Sequence, residues 1–168
     1  MKNSTALRIV HTVSATADAE VLVLELEEDL ASSYPPEQRH GLNLSAIFQP
    51  HIHFLIGYID DLPVCCGGIA IFETFAELKR MYVRPQYRGN GYADELIERL
   101  LQHAISNNIV DIKLETGTEQ HAAIRFYKRM GFEICSAFPP YDAMPEFQIA
   151  GSVFMSMTLN RDNSSQNR

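Results

Sequence analysis

The sequence predicts an α/β domain in which helices cover one mixed β-sheet, and two features of its order predict this. In the first half, the apolar runs Ile52 to Tyr58 and Val64 to Phe72 are separated only by the turn-like segment IDDLP, as in an antiparallel pair. In the second half, two-residue and 3.6-residue periods alternate as strand, helix, strand, helix. A purely doubly wound sheet fits this order less well than a mixed one. At 168 residues the chain is long enough for one domain, read over 1–160, with RDNSSQNR (161–168) as a polar tail expected to be disordered.

Each element has a local reason. Leu7 to Val13 alternates loosely and suits a first strand, after which Thr16 or Asp18 offers an N-cap. Ala19, Val23, Leu26 and Leu30 then fall at helical spacing, with Glu20, Glu25, Glu27 and Glu28 largely off that line. The prolines of SSYPPEQRHGLNL break the pattern, predicting a loop and then a short helix over Glu37 to Phe48. Ala76 to Val83 reads as a strand stopped by Pro85. Ala93, Leu96, Ile97, Leu100, Leu101 and Ala104 mark one face of the next helix, which SNN ends. Val110, Ile112 and Leu114 alternate with Asp111, Lys113 and Glu115 as another strand. Thr118 is placed to cap a helix running to Met130, and Gly131 stands where a left-handed C-cap is wanted. Val153, Met155, Met157 and Leu159 form the last alternating run.

Composition excludes several functions. A formal net charge of -7 opposes long-range attraction to nucleic acid or to an anionic membrane. No apolar run approaches the roughly 20 residues of a membrane span, and MKNSTALRIVHTV lacks a signal-peptide core, so the cytoplasm is the expected location. Cys65, Cys66 and Cys135 form no CxxC pair; Cys65 and Cys66 should point to opposite faces of a strand as buried thiols without a sign of activation. None of the six histidines falls in HExxH spacing, and no metal is expected.

The chemistry concentrates in VRPQYRGNGYADELIERLL, where two glycines precede an amphipathic helix. The first turn of a helix leaves amides without partners and carries roughly half a positive charge, so it attracts anions. Gly89 and Gly91 allow close backbone approach and positive φ, and Arg88 can add a charge-assisted contact. A Walker loop is excluded, because no Gly-Lys-Ser/Thr follows. A dinucleotide fingerprint fails at its third glycine, where Asp94 stands.

Arg88, Gly91 and Ala93 do satisfy Arg/Gln-x-x-Gly-x-Gly/Ala, and Gln120, Ala123, Tyr127, Gly131 and Phe132 fall in register on Asn-x-x-Ala-x-x-x-Tyr-x-x-x-Gly-Phe. Over Ala76 to Phe132 the sequence thus resembles the GNAT superfamily of N-acetyltransferases, with Gln120 in place of the usual asparagine. The resemblance implies a mixed central sheet of about seven strands flanked by about four helices, with a V-shaped cleft for acetyl-CoA. It places the pyrophosphate over Arg88, Gly89, Asn90, Gly91, Tyr92 and Ala93. It also sets the pantetheine arm and thioester carbonyl against amides near Met81, Tyr82 and Val83, with Gln120 on the cofactor arm.

The same resemblance implies acetyl transfer to an amine by direct attack in a ternary complex. Tyr127 is expected to protonate the leaving thiolate, and Glu77 to act as base, with Glu115 as its rival. The acceptor is expected to enter beside SSYPPEQRHGL, where Tyr34, Arg39 and His40 lie, with Lys79 and Arg80 on the strand leading to the cofactor. An arginine fork favours a small, amino-acid-like acceptor, whereas Glu25, Glu27, Glu28 and Asp29 could instead attract a polyamine, an aminoglycoside or a basic protein tail. A CoA-binding sensor without catalysis is the reading from another class. A small-molecule partner is expected before a protein, and a homodimer is compatible with the sequence.

Overall fold

The structure, a computed structural model, describes residues 6–160; the tail expected to be disordered lies outside them. Where apolar residues alternate, the chain extends, giving β1 (Arg8–His11), β2 (Ile52–Ile59), β3 (Leu62–Ile71), β4 (Ala76–Val83), β5 (Asp111–Gly117), β6 (Glu133–Cys135) and β7 (Ser152–Thr158). They form one seven-stranded sheet in the order β1-β2-β3-β4-β5-β7-β6. Every neighbouring pair is antiparallel except β4 and β5. The helices are α1 (Ala17–Ala31), α2 (Leu44–Ile47), α3 (Tyr92–Ser106), α4 (His121–Met130) and α5 (Glu146–Ile149), of which α2 and α5 are single turns.

The predicted stripes find their partners on the two faces of the sheet. Leu96, Ile97, Leu100 and Ala104 of α3 pack with Leu55, Ile69, Leu78 and Ile112 on one face. Ala19, Leu22 and Val23 of α1 pack with Phe54, Ile56 and Tyr82 on the other. Cys65 belongs to the first cluster and Cys66 to the second, so the neighbouring thiols do point to opposite faces. Burial pushes the Cys65 thiol up to about 12 and Cys66 higher still, which leaves neither as a thiolate at neutral pH.

Three local readings need correction. The helix expected over Glu37 to Phe48 is instead a 3-10 turn at Pro36–Gln38 followed by α2, which Asn43 caps through its side chain to the Ala46 amide at 2.9 Å. The stretch between them stays non-helical, and the Leu42 carbonyl accepts a hydrogen bond from Arg80 Nε at 2.8 Å. Thr118 does not cap α4; its amide continues the sheet by bonding the Gly151 carbonyl at 3.0 Å, and Gln120 is the N-cap. The β2–β3 turn uses only Asp60 and Asp61, Asp60 taking φ 52, rather than all of IDDLP. Thr16 and Gly131 cap α1 and α4 as expected, Gly131 at φ 107.

The site is positioned by the way β4 leaves β5. Their parallel pairing covers only Ala76↔Ile112, Glu77↔Lys113 and Leu78↔Leu114. Beyond Leu78, β4 bulges against β3: the register passes from Gly68↔Lys79 to Cys66↔Tyr82, so Arg80 and Met81 together oppose Gly67. Arg80 takes φ 56, the left-handed region that non-glycine residues seldom adopt, and something must hold it there. Its buried guanidinium pairs with Glu27 of α1 and reaches the Leu42 carbonyl. Gly41 makes room, because a Cβ there would fall 1.8 Å from Arg80 Nη2.

Arg80→Ala removes the cross-link between α1, the 39–43 loop and the bulge. Urea denaturation should show a loss of about 3 kcal/mol of unfolding free energy. Unchanged stability would mean that the bulge holds itself.

Candidate active site

The splayed end of β4, the start of α3 and the start of α4 enclose an outer cleft, and the far side of β4 opens into an inner cavity. At the cleft floor, Gly89 and Gly91 take φ 78 and 79, and nothing lies within 4 Å of where a Cβ would stand on either. Their positive φ therefore explains the glycines, and the open side faces the cleft. Gly91 is the N-cap of α3 and supplies no capping side chain, so the first-turn amides beginning at Tyr92 keep their donors free for an anion. Asn90 spends its side-chain amide on the Tyr87 and Arg88 carbonyls, at 2.9 and 3.3 Å, which holds the loop in shape. Arg88 bonds the Val83 carbonyl through Nε at 2.8 Å and stands 3.9 Å from Asp29, its head on the cleft wall.

Further in, the Arg84 amide bonds the Val64 carbonyl of β3 at 2.9 Å. Strand alternation then turns the Val83 amide the other way, towards the cleft that β5 has left. Met81, Tyr82 and Val83 line that wall, and Gln120, Ala123, Phe126 and Tyr127 of the α4 segment line the wall opposite. The outer cleft has a volume of about 480 Å³ and the inner cavity about 130 Å³, so the first suits a long arm and the second a small head group.

Ionisable groups crowd the inner cavity. Glu77, only 2% exposed, receives the Tyr141 hydroxyl at 2.5 Å and Lys79 Nζ at 2.9 Å, both on Oε1, while Lys79 also donates to the Tyr141 hydroxyl at 2.9 Å. Burial, with the Glu77 charge next in effect, pushes the Tyr141 phenol far above its ordinary range, so it stays a neutral donor. Among the described residues, Glu115 receives only Ser152 Oγ, at 2.9 Å on Oε1. Burial raises its proton affinity above the ordinary carboxylate range, against the opposing pull of Ser152, His40 and Lys79. Tyr127 is buried too: desolvation first, and Glu115 second, lift its hydroxyl well above the usual phenol range.

All five residues expected around the acceptor entrance, Lys79 among them, line the inner cavity, in different states. Tyr34 is occupied, its hydroxyl accepting the Glu119 amide at 2.8 Å. His40 Nε2 lies 2.7 Å from the Gln148 carbonyl. Arg80 is spent on Glu27 and Leu42. Arg39 approaches Glu27 at 3.5 Å, yet its Nε is buried without a hydrogen-bond partner among the described residues. Met81, Gln120, Ala123 and Tyr127 line both spaces, so the outer cleft and the inner cavity adjoin at these residues. Sequence reading passed over Tyr141 and Ser152, which carry no motif and reach the site only through pairing of β7 with β5 and packing of the 3-10 turn at Tyr141–Ala143. Among the described residues, no group of three His, Cys, Asp or Glu side chains is placed to hold a metal ion, and no helix is long and apolar enough to cross a membrane.

Comparison with known proteins identifies the family and the fold. The model of the Acetyltransferase (GNAT) family matches residues 22–132. The chain is 36% identical over 126 residues to the IAA acetyltransferase of Azospirillum brasilense, covering 74% of this chain and 82% of that protein. Its fold is similar to that of a GNAT-family acetyltransferase from Staphylococcus aureus Mu50, with a TM-score of 0.72 at 17% identity over 92% of this chain and 100% of the other. It is also similar to PaiA N-acetyltransferase from Thermoplasma acidophilum, solved in complex with coenzyme A, with a TM-score of 0.66 at 15% identity over 92% and 99% of the two chains.

Gly91→Ala tests the anion floor. A methyl at φ 79 should cost about 1 kcal/mol of stability and, by entering the open side, weaken coenzyme A binding about tenfold or more. Calorimetry on the folded variant measures this; wild-type affinity would move the pyrophosphate elsewhere.

Proposed function

The chain belongs to the GNAT acetyltransferase family and is an acetyl-CoA-dependent N-acetyltransferase; on that premise we propose that it acetylates a small zwitterionic amine by direct transfer in a ternary complex. One observation carries the proposal: Tyr127, with Met81, Gln120 and Ala123, lines both the outer cleft and the inner cavity. A thioester in the first and an amine in the second would meet beside its hydroxyl.

Charge pairing supports the acceptor class. Lys79 is paired with Glu77, and Arg80 with Glu27. These pairs leave the loosely paired Arg39 and the carboxylate of Glu115 to face a guest in the inner cavity. A guest with a carboxylate for Arg39 and an amine for Glu115 complements both. The competing clue, the acidic end of α1, loses force because Glu25 is held bidentately by Arg84, at 2.8 and 3.0 Å, and Glu27 by Arg80. A polyamine would have to displace those arginines.

In the proposed step the amine nitrogen attacks the thioester carbon, a C–N bond forms, and the C–S bond breaks with its electron pair going to sulfur. The amide of Val83, facing the cleft, serves the carbonyl oxygen as its charge grows. Glu115 takes the proton from nitrogen; its second oxygen is uncommitted and its raised proton affinity suits a base near neutral pH. Glu77 is the weaker candidate for this role, since one of its oxygens already holds two donors and the residue is closed off from solvent. Tyr127, kept protonated by burial, donates a hydrogen bond to the departing sulfur as negative charge collects there, and the proton that Glu115 has taken from nitrogen balances the thiolate that leaves.

Tyr127→Phe should lower kcat by about tenfold to a hundredfold with little change in coenzyme A affinity, by steady-state rates and calorimetry. Wild-type turnover would leave the ring as packing. As pH falls through the raised Glu115 pKa the base is protonated, so kcat/KM should fall on an acid limb lying above the ordinary carboxylate value of about 4.3. Glu115→Gln should cost about a hundredfold in kcat and erase that limb; an unaltered limb would return the role to Glu77 or water. For the acceptor, amino acids should outperform their decarboxylated counterparts about tenfold in thiol release, and Arg39→Ala should close the gap. Better turnover of polyamines, with Arg39→Ala neutral, would overturn the zwitterion.

A further inference from the structure

A second space opens on the same sheet face as the inner cavity, and its chemistry is different. Its floor is Ile52 and Ala70, and its walls are the β3–β4 hairpin on one side and Pro139 and Pro140 on the other. The hairpin is tight, with the Phe72 amide bonded to the Phe75 carbonyl at 2.9 Å, and it presents two aromatic rings whose centroids lie 5.0 Å apart. Phe75 is anchored behind against Phe138, at 5.8 Å, and so to the buried cluster that holds Tyr141. Phe72 has no such anchor and remains 36% exposed. The His51 ring, 5.6 Å from Phe72, extends the wall. The groove measures about 520 Å³, far more than the inner cavity; its lining mixes apolar side chains with Gln49, His51, Glu73 and Thr74, and with Glu77 and Lys79 where it meets the inner cavity.

This groove adjoins the inner cavity. Glu77 and Lys79 line both spaces, and the chain steps from one to the other between adjacent residues, Gly41 on the inner cavity and Leu42 on the groove. Lys79, whose side chain is 14% exposed, is the less buried of that pair and forms the sill between the spaces. An acceptor whose head sits between Arg39 and Glu115 would bring its remaining atoms onto Phe72 and Phe75 by passing over the Lys79 side chain. A macromolecular occupant fits less well, because a protein surface would have to enter between two loops, whereas a flat ring needs only the width between them.

We propose that the groove of Phe72, Phe75 and Pro139 is the side-chain subsite of the acceptor and selects amines with an aromatic or bulky apolar tail. The proposal rests on the reading of the inner cavity as the acceptor's head-group site. Stacking on Phe72 and Phe75 supplies the preference, and removal of the tail from water adds to it. The carboxylate and amine contacts are common to all acceptors of the class, so tail recognition changes the ratio between acceptors and not the chemistry.

The test compares phenylalanine with alanine as acceptors, by thiol release from acetyl-CoA with the full chain. The ratio of their kcat/KM values should favour phenylalanine at least tenfold. Phe72→Ala, and Thr74→Trp, which fills the groove from its rim, should each bring the ratio near one. A wild-type ratio near one, or a ratio that neither variant changes, overturns the subsite while leaving the acetyltransferase reading intact. If neither amino acid releases thiol, the head-group reading fails, and calorimetry of phenylalanine with the coenzyme A complex still decides the groove. Binding by the wild type that Phe72→Ala weakens at least tenfold supports it, and no binding, or equal binding, overturns it.

Discussion

The parallel ladder between β4 and β5 stops at Leu78, and the chemistry of the molecule depends on that stop. A strand that loses its neighbour exposes amides and carbonyls that must find partners. Here the loss is stabilised from the opposite side. The bulge at Arg80 and Met81 turns β4 away, and the ties of Arg80 to Glu27 and Leu42 hold a backbone angle that would otherwise relax. One buried guanidinium thus fixes α1, the 39–43 loop and the mouth of the cleft together. The free amide edge of β4 faces the outer cleft, while Glu77 and Lys79, which precede the bulge, line the inner cavity.

The ionic groups around this split divide into structural and available ones. Glu25, Glu27 and Glu77 hold arginines, a lysine or a tyrosine in place. Glu115 and Arg39 are the less committed pair. A buried carboxylate with one weak neutral partner pays in proton affinity, and that raised affinity suits a base for an ammonium substrate. Strain, burial and an unpaired donor therefore collect in one region, while the α3 face of the sheet is ordinary close packing.

What was legible in the sequence is what is local in the sequence. The glycine loop from Arg88 to Ala93 and the block from Gln120 to Phe132 each lie within one turn or one helix, so their spacing carried their geometry directly. The period of α3 and the caps at Thr16 and Gly131 were readable for the same reason. Partners 64 residues apart, such as Tyr141 and Glu77, leave no spacing to read. The stretch from Glu37 to Phe48 misled because its helical composition yields to a long-range demand, the bond from Arg80 to the Leu42 carbonyl. Likewise β6, with three residues, is too short to show alternation and exists through pairing with β7. Tyr34, Arg39 and His40 line the inner cavity together with Arg80, but only the fold distinguishes the spent Arg80 from the loosely paired Arg39.

The central claim is that donor and acceptor occupy adjoining spaces and react at their junction without an acyl-enzyme. Its most direct measurement is an initial-rate study over both substrates, paired with intact-protein mass spectrometry after incubation with acetyl-CoA alone. Direct transfer predicts intersecting double-reciprocal lines and an unmodified chain, as the buried, high-pKa thiols of Cys65 and Cys66 lead one to expect. Parallel lines, with an acetyl group on the protein that a later amine removes, would contradict it.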